Sequence, residues 1–462
     1  MRFLSRSEGP SLRRKNQGPR EGPWGPPQQA RKGGGTLKLG DPQSAHGSKG
    51  MVELARSWLI LSLANIGHVR NASSSYLARA EGLLGSRLLS ALVRQTIYPH
   101  FVAGEKEYQV AQSLYRLAHM GQGAILGYCV EGQGGEEWEE DDQDQWDHNL
   151  GLFLQSVDLV AASSVPSLPS PCVAVKVSSL CRLPLLLYLS TLLGELGMRV
   201  AGGSELEGVS KQLTEGERRE LVALQGRLET LVKAAAARDV TVMVDAEQSR
   251  YQEAIRHLAL DLMEEWNREA AVVVNTYQAY LEGTPVQLTS DLARARRQGW
   301  MLGAKLVRGA YLGEERSLAR SQGRLDPTVV DIEATRRQYR EMVALCLEDS
   351  GRVRVVLATH NQGDVVWAVE RRQTPALQWI HPEQAHIVEF AQLQGLGDQL
   401  TGALTAAGHP VYKYLPWGPQ KEVLPYLARR MEEARELPGD LSDERALMVK
   451  EAVRRIRKAV GL

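Results

Sequence analysis

Eight short apolar runs rich in β-branched residues recur through this chain, and they narrow its fold more than any other feature. They fall at 124–130, 173–178, 240–246, 271–277, 303–309, 353–360, 386–393 and 410–415. Apolar runs of this kind suit parallel strands buried on both faces. Stretches with helical spacing separate most of them, at 183–196, 251–268, 289–300, 331–347, 365–372 and 398–407. Eight parallel strands with intervening helices predict an α/β chain closed into a (β/α)8 barrel of the TIM type. An extra helix at 215–238 fills the long interval between the second and third runs. Upstream, residues 51–120 read as a helical region with helices near 51–66, 75–92 and 105–120. The expected organisation is a leader over 1–50, that helical region, and a barrel over 121–462 carrying a glycine-then-acid surface insertion at 132–148. A calcium loop there would need a glycine at its sixth position, which Asp142-x-Asp144 lacks.

Chemistry on such barrels gathers at the C-terminal ends of the strands. Those ends carry Lys176; Asp245 with Glu247; Asn275 with Tyr277 and Gln278; Lys305 with Arg308 and Tyr311; Thr359 with His360 and Asn361; Gln392; and Lys413 with Tyr414. Any one of these suits a strand-end cap or a salt bridge. Buried charge at this density is costly unless it is paired or bound to something, so together they predict a site. The last unit reads as a strand at 411–414, a Pro/Gly turn at 416–419, and a helix. On that helix Tyr426, Arg429, Arg430 and Glu433 fall at i, i+3, i+4 and i+7 and share a face. Two guanidinium forks beside a phenol suit a small carboxylate ligand, since arginine grips carboxylate bidentately. A solvated basic face with an intrahelical ion pair is the plainer reading of the same spacing.

Several function classes are excluded or disfavoured. Lys+Arg and Asp+Glu both number 55, a balance that argues against nucleic acid as partner. There is no GxGxxG after a strand, no GxxxxGK[ST], no HExxH and no GxSxG. The ten histidines show no metal-ligand grouping, and the four cysteines are scattered in a way that reads as reduced and buried. His360, alone at a strand end, reads as a structural or ligand-contact residue rather than a base. The site thus offers cations, aromatics and amides without an obvious nucleophile or metal, which points to an organic cofactor. The first fifty residues hold ten Lys/Arg against three acids, and read as an organelle transit peptide or a disordered tail. No stretch approaches the roughly 18–20 apolar residues that span a bilayer, so contact with a membrane would be from the side.

At these residues the sequence resembles the proline dehydrogenase (proline oxidase) family, over about residues 51–455. The matching segments are KVSSL at Lys176, VDAEQ around Asp245, NTYQAYL at Asn275, KLVRGAY at Lys305, ATHN around Thr359, QLQGLGD at Gln392 and YLPWGPQKEVLPYLARR ending at Arg430. YPHFVAGE at Tyr98 is similar to the helical lead-in of the eukaryotic, mitochondrial branch, which favours the transit-peptide reading of the leader. The resemblance implies a distorted (β/α)8 barrel that holds FAD, oxidises L-proline to Δ1-pyrroline-5-carboxylate, and passes electrons to a membrane quinone from the matrix side of the inner membrane. Carried over by motif, Arg429, Arg430 and Lys176 would bind the substrate carboxylate. Asp245 would orient Lys176 or a neighbouring group, and Tyr426, Tyr414 and Leu393 would pack against the pyrrolidine ring. Ala246, Asn275, Val307, Arg308, Gly309, Thr359 and His360 would line FAD. Lys305, where many bacterial members have Arg, would lie near the isoalloxazine, and Tyr311 would share the pocket. The sequence departs from the family pattern at Ala391, Leu396 and Trp417, where the family usually has Gly, Met and a smaller aromatic. A sister activity on 4-hydroxyproline belongs to the same family; the bulk of Tyr414 against ring C4 favours proline. A Schiff-base lyase using Lys176, and a barrel that only senses amino acids, are the readings from other classes.

Overall fold

The computed structural model describes residues 37–64, 86–129, 142–196, 205–349, 351–372, 388–435 and 438–461. Eight parallel strands close into one barrel in sequence order: β1 (Gly123–Tyr128), β2 (Cys172–Val175), β3 (Thr241–Val244), β4 (Val273–Gln278), β5 (Leu302–Val307), β6 (Val353–Ala358), β7 (Val388–Leu393) and β8 (Val411–Trp417). β8 returns to pair with β1, with Ile125 opposite Tyr414.

Before the barrel come α1 (Pro42–His46), α2 (Met51–Ala64), α3 (Ser86–Gln95), α4 (Tyr98–Phe101) and α5 (Glu107–His119). Within it run α6 (Gln143–Ala162), α7 (Leu183–Leu196), α8 (Glu205–Ser210), α9 (Glu215–Ala236), α10 (Ser249–Trp266), α11 (Thr284–Gln298), α12 (Leu312–Gln322), α13 (Ile332–Glu348), α14 (Gln362–Arg372), α15 (Asp398–Ala406) and α16 (Gln420–Arg435). The C-terminal helix is α17 (Pro438–Ala459).

Three boundaries differ from expectation. The acidic run ends in a helix: α6 begins at Gln143, and Trp146, Phe153, Val157 and Val160 are buried on its inner face. Trp146 is masked by the carboxylates around it, whereas the other three follow the acidic run; Arg227 stacks over Trp146 and pairs with Asp147 at 2.7 Å. Residues 132–141 of the expected insertion, and residues 1–36 of the leader, lie outside the described residues. β8 runs on through Pro416 to Trp417 instead of turning there. Pro416 lacks only its N–H, and its carbonyl accepts from Ala103 N–H at 2.8 Å, so the N-terminal segment pairs with the strand's last residues. Finally, α11 starts at Thr284, five residues early, with Pro285 in its first turn where the missing N–H costs nothing.

Period-two alternation sorts the barrel interior into layers. The N-terminal end is plugged by Arg354, whose Nε meets Glu389 Oε2 at 2.9 Å; Tyr412 donates to the same carboxylate at 2.9 Å. Above it pack Ile125, Ala174, Met243, Val274, Val356 and Ala391. Two residues further along their strands, the inward positions are Gly127, Lys176, Asp245, Leu393 and Tyr414, with Lys305 completing the ring. Below this ring the barrel is filled, so the chemistry-bearing layer sits at its C-terminal mouth.

Candidate active site

The ring of inward residues is wired around Asp245. Its carboxylate forms an ion pair with Lys305 of β5, and Tyr414 of β8 donates to its Oδ2 at 3.1 Å. Asp245 therefore orients the neighbouring Lys305 and Tyr414. Burial first, then the Asp245 charge, push the Tyr414 phenol well above its usual range, so it stays protonated and keeps donating. The phenol fits because β1 has glycine at 127: a Cβ there would stand 2.7 Å from Tyr414 Oη. Lys176 is half-buried just past β2, and its charge favours the ionised form of Glu247. Burial outweighs that and raises Glu247, which accepts from Ser178 N–H at 3.0 Å.

The helix expected to carry the arginines lies across this mouth. Tyr426 and Arg430 of α16 are buried and Arg429 is half-buried. The Arg430 guanidinium stands 4.7 Å from the centroid of the Tyr426 ring, and that of Arg429 is 5.8 Å from the Tyr311 ring after β5. Such cation–π seats fix a guanidinium while leaving its fork of donors in place. Leu393 and Tyr414 pack against the apolar cluster that holds Tyr426 and Leu396, so one greasy wall runs from β7 and β8 up to the arginine helix. Glu433 belongs to α16, but its side chain lies outside the described residues.

What aims α16 is the N-terminal region. Tyr98 donates to the Gly418 carbonyl at 2.7 Å, Gly418 N–H donates to Gly104 O at 3.1 Å, and Arg94 donates to Gln420 Oε1 at 3.1 Å. Tyr128 donates to Glu422 at 2.8 Å. The YPHF segment, which lies between the helices expected near 75–92 and 105–120, is a short helix of its own that clamps the turn before the arginines.

The residues expected at a cofactor divide. Val307, Arg308 and Gly309 close β5, and Ala246 follows Asp245. Gly309 has φ +133, and a Cβ there would run into the Tyr280 ring, so only glycine permits this turn. Thr359 and His360 follow β6. Leu393 N–H donates to His360 Nε2 at 3.4 Å, which leaves the proton on Nδ1. Burial, then the Lys413 and Arg430 charges, depress this histidine to about 3, so its ring is neutral. Arg308, Arg336 and Arg340 converge on the one buried carboxylate of Asp364, at 2.5, 3.5 and 2.9 Å, leaving surplus positive charge beside the mouth.

Asn275 is a correction. It shares its side of β4 with Val273 and Tyr277, which pack in the layer between strands and helices, so it does not reach the mouth. Thr276 and Gln278 take the inward positions; Gln278 donates to Glu247 O at 2.9 Å. Lys413 likewise turns away from its neighbour Tyr414. It pairs with Asp398 Oδ1 at 2.6 Å and donates to the carbonyls of Leu396 and Leu393 at 2.8 and 3.3 Å, bracing the loop after β7.

That brace belongs to a buried cluster of which the sequence marks only Asp398, the last residue of QLQGLGD, and Lys413 at its strand end. Lys49 meets Asp398 Oδ2 at 2.5 Å, and Asp398 N–H donates to Glu444 of α17 at 3.0 Å. Burial raises the Asp398 carboxyl, but Lys413 and Lys49 outweigh it and hold it well below the usual range. Burial, then the Asp398 charge, push Glu444 up to about 7 from 4.5. A carboxyl raised on folding contributes stability that is full below its unfolded pKa and is lost as pH rises through the folded one. Stability should therefore fall between about pH 5 and pH 8, and Glu444→Gln should flatten that fall. Melting curves across this range check it; an unchanged slope counts against the assignment.

A parallel closed barrel with ion pairs, phenols and arginines gathered at its C-terminal mouth is the frame of a (β/α)8 enzyme. A family profile for proline dehydrogenase matches residues 110–442, and the chain belongs to that family. It is 29 % identical to proline dehydrogenase 1, mitochondrial, of Homo sapiens, over 91 % of this chain and 90 % of that protein. It is 33 % identical to the hydroxyproline dehydrogenase of Mus musculus, over 88 % of this chain and 92 % of that one. Among solved structures, proline utilization A from Bdellovibrio bacteriovorus superposes with a TM-score of 0.61 at 17 % identity, which speaks to the fold. The match covers 85 % of this chain, and the chain spans only 38 % of that bacterial protein's length.

Proposed function

We propose that this chain oxidises L-proline to Δ1-pyrroline-5-carboxylate with FAD, and passes the electrons to a membrane quinone on the matrix side of the mitochondrial inner membrane. The observation that supports this most is the pairing of seated guanidiniums with the Leu393–Tyr414–Tyr426 wall, which suits a carboxylate carried on an aliphatic ring. Arg429 and Arg430 would hold the carboxylate with Lys176, and the wall would pack the pyrrolidine ring. The held orientation presents the N–C5 bond in one pose, so binding geometry carries the rate. α16 above the ring excludes water. The amine needs only to arrive neutral, so it is no obstacle that the described residues offer no histidine base; His360 stays neutral and adds no charge.

The residues at the mouth fit a flavin dinucleotide. The surplus charge of Arg308, Arg336 and Arg340 around Asp364 suits a pyrophosphate, and the Arg308 Nε has no hydrogen-bond partner among the described residues. Ala246, Val307, Arg308, Gly309, Thr359 and His360 would line the cofactor, with Lys305 and Tyr311 toward its ring system. When bound, FAD would supply the hydride acceptor for C5 at its N5.

The higher identity to hydroxyproline dehydrogenase favours a second reading, oxidation of 4-hydroxyproline. Against it stands Tyr414, whose phenol is fixed by Asp245 and fitted by the glycine opposite; its bulk would crowd a hydroxyl at ring C4. An absorbance spectrum of the purified protein decides. A flavin band that bleaches under anaerobic L-proline is expected. A colourless protein would sink the flavin reading, and a clearly larger kcat/KM for 4-hydroxyproline would replace the substrate.

A further inference from the structure

On the far side of the cluster around Asp398, α17 shows an outward face that the barrel does not use. Glu444, Leu447, Met448 and Glu451 are buried on its inner side. On the opposite side Val449, Val453, Ile456 and Val460 fall at i, i+4, i+7 and i+11 and stand exposed, from 42 % for Val453 to 65 % for Val460. Four branched apolar side chains in one solvent-facing row are the reverse of what a globular surface helix presents.

Its neighbour repeats the pattern. α2 packs antiparallel on α17: Arg445 donates to Ser62 near the end of α2, and Arg455 donates to the carbonyls of His46 and Gly47 just before its start, at 2.9 and 3.0 Å. On α2, Met51, Val52, Trp58 and Leu59 share the outer face and are 43–83 % exposed. The buried positions on α2 are Leu54, Ser57, Ile60 and Leu61.

Charge decides what covers these rows. From residue 444 to the end, the chain holds six cations (Arg445, Lys450, Arg454, Arg455, Arg457, Lys458) and two acids. Both acids, Glu444 and Glu451, are buried, and Glu451 pairs with Arg454 and Arg455, so cations outnumber acids on this surface, with Asp443 one residue upstream as an exposed acid. Lys450, Arg457 and Lys458 are exposed along one flank of the apolar row. A second copy docked by a two-fold axis would set this row of three exposed cations against itself, with Asp443 as the one exposed acid among the described side chains of α17 to offset it. An apolar row with a tryptophan beside it and cations on its flank suits the boundary of an anionic bilayer, where the row enters the acyl edge and the cations meet the headgroups. Among the described residues no helix is long and apolar enough to cross a membrane, so the pair would lie in the plane of the surface.

We propose that the outer faces of α17 and α2 are the membrane-docking surface of this protein, and that they bind anionic phospholipid. The proposal deepens the transfer of electrons to a membrane quinone named under the proposed function and rests on that reading only for which membrane is bound. Lipid binding is read without turnover, so the two can fail separately.

The test is flotation of the purified full-length protein with phosphatidylcholine vesicles, with and without about one third phosphatidylserine. The wild-type protein should float with the anionic vesicles and at least about tenfold less with the neutral ones. Val453→Glu with Ile456→Glu, and separately Lys450→Glu with Arg457→Glu and Lys458→Glu, should each reduce recovery at least about tenfold. Melting temperature should be unchanged in both, because every substituted side chain is exposed. Should the apolar variant melt early, the charge variant alone decides. Wild-type protein that stays unbound, or variants that float like wild type, would overturn the proposal. So would an apolar variant that breaks a dimer on size exclusion, which would assign the face to a second copy.

Discussion

Arg430→Met should raise the KM for L-proline by about two to three orders of magnitude while the protein keeps its flavin, and Arg429→Met should act in the same direction. A charge-assisted hydrogen bond is worth about 1.5–3 kcal/mol, and each 1.4 kcal/mol is about tenfold, so losing one bidentate grip accounts for a shift of this size. The two sites differ in setting. Arg430 is buried on Tyr426, close enough to His360 to help depress it, whereas Arg429 is half-buried over Tyr311. The Arg430 variant should therefore show the larger change. Steady-state kinetics with a soluble quinone, together with the flavin absorbance per mole of protein, check it. Equal loss of flavin and of cooperative melting would show that the arginines hold the fold instead of the carboxylate.

The second large effect is on stability. Asp245→Ala would strand the ammonium of Lys305, whose side chain is 6 % exposed, and remove the acceptor of the Tyr414 hydroxyl. Breaking a buried ion pair by deleting one partner costs about 3–5 kcal/mol, because the remaining charge is left uncompensated. Urea unfolding should show a loss of that order. The double variant Asp245→Leu with Lys305→Met should recover most of it, since an apolar pair does not need the charge compensation, while turnover stays lost. A single variant that loses less than about 1 kcal/mol would mean that solvent reaches Lys305.

Much of the barrel could be read from the chain because its signal is local. A strand buried on both faces must be apolar along its length, so each run announces itself within a few residues. The same holds for Lys176, Asp245, Lys305 and Tyr414, which close their runs in polar residues that a buried strand would otherwise avoid. Local signals fail where composition conceals period: the carboxylates around Trp146 hid the start of α6, and Pro416 looked like a stop although only its absent N–H sets it apart. They also fail on side-chain direction. Asn275 and Lys413 sit beside true mouth residues in sequence, and one step along a strand turns a side chain to the opposite face of the sheet.

The sequence by itself determined that this chain makes eight parallel strands, that polar residues end them, and that two arginines ride one helical face with a tyrosine. Only the tertiary structure decided that Asp245 pairs with Lys305 and Tyr414, that residues 90–104 clamp the turn which aims the arginine helix, and that Lys49, Asp398, Lys413 and Glu444 meet in one buried cluster. The reason is range: periodicity records how a residue faces its own strand or helix, whereas an ion pair between residues sixty or more positions apart exists only once the barrel has closed and brought their strands together.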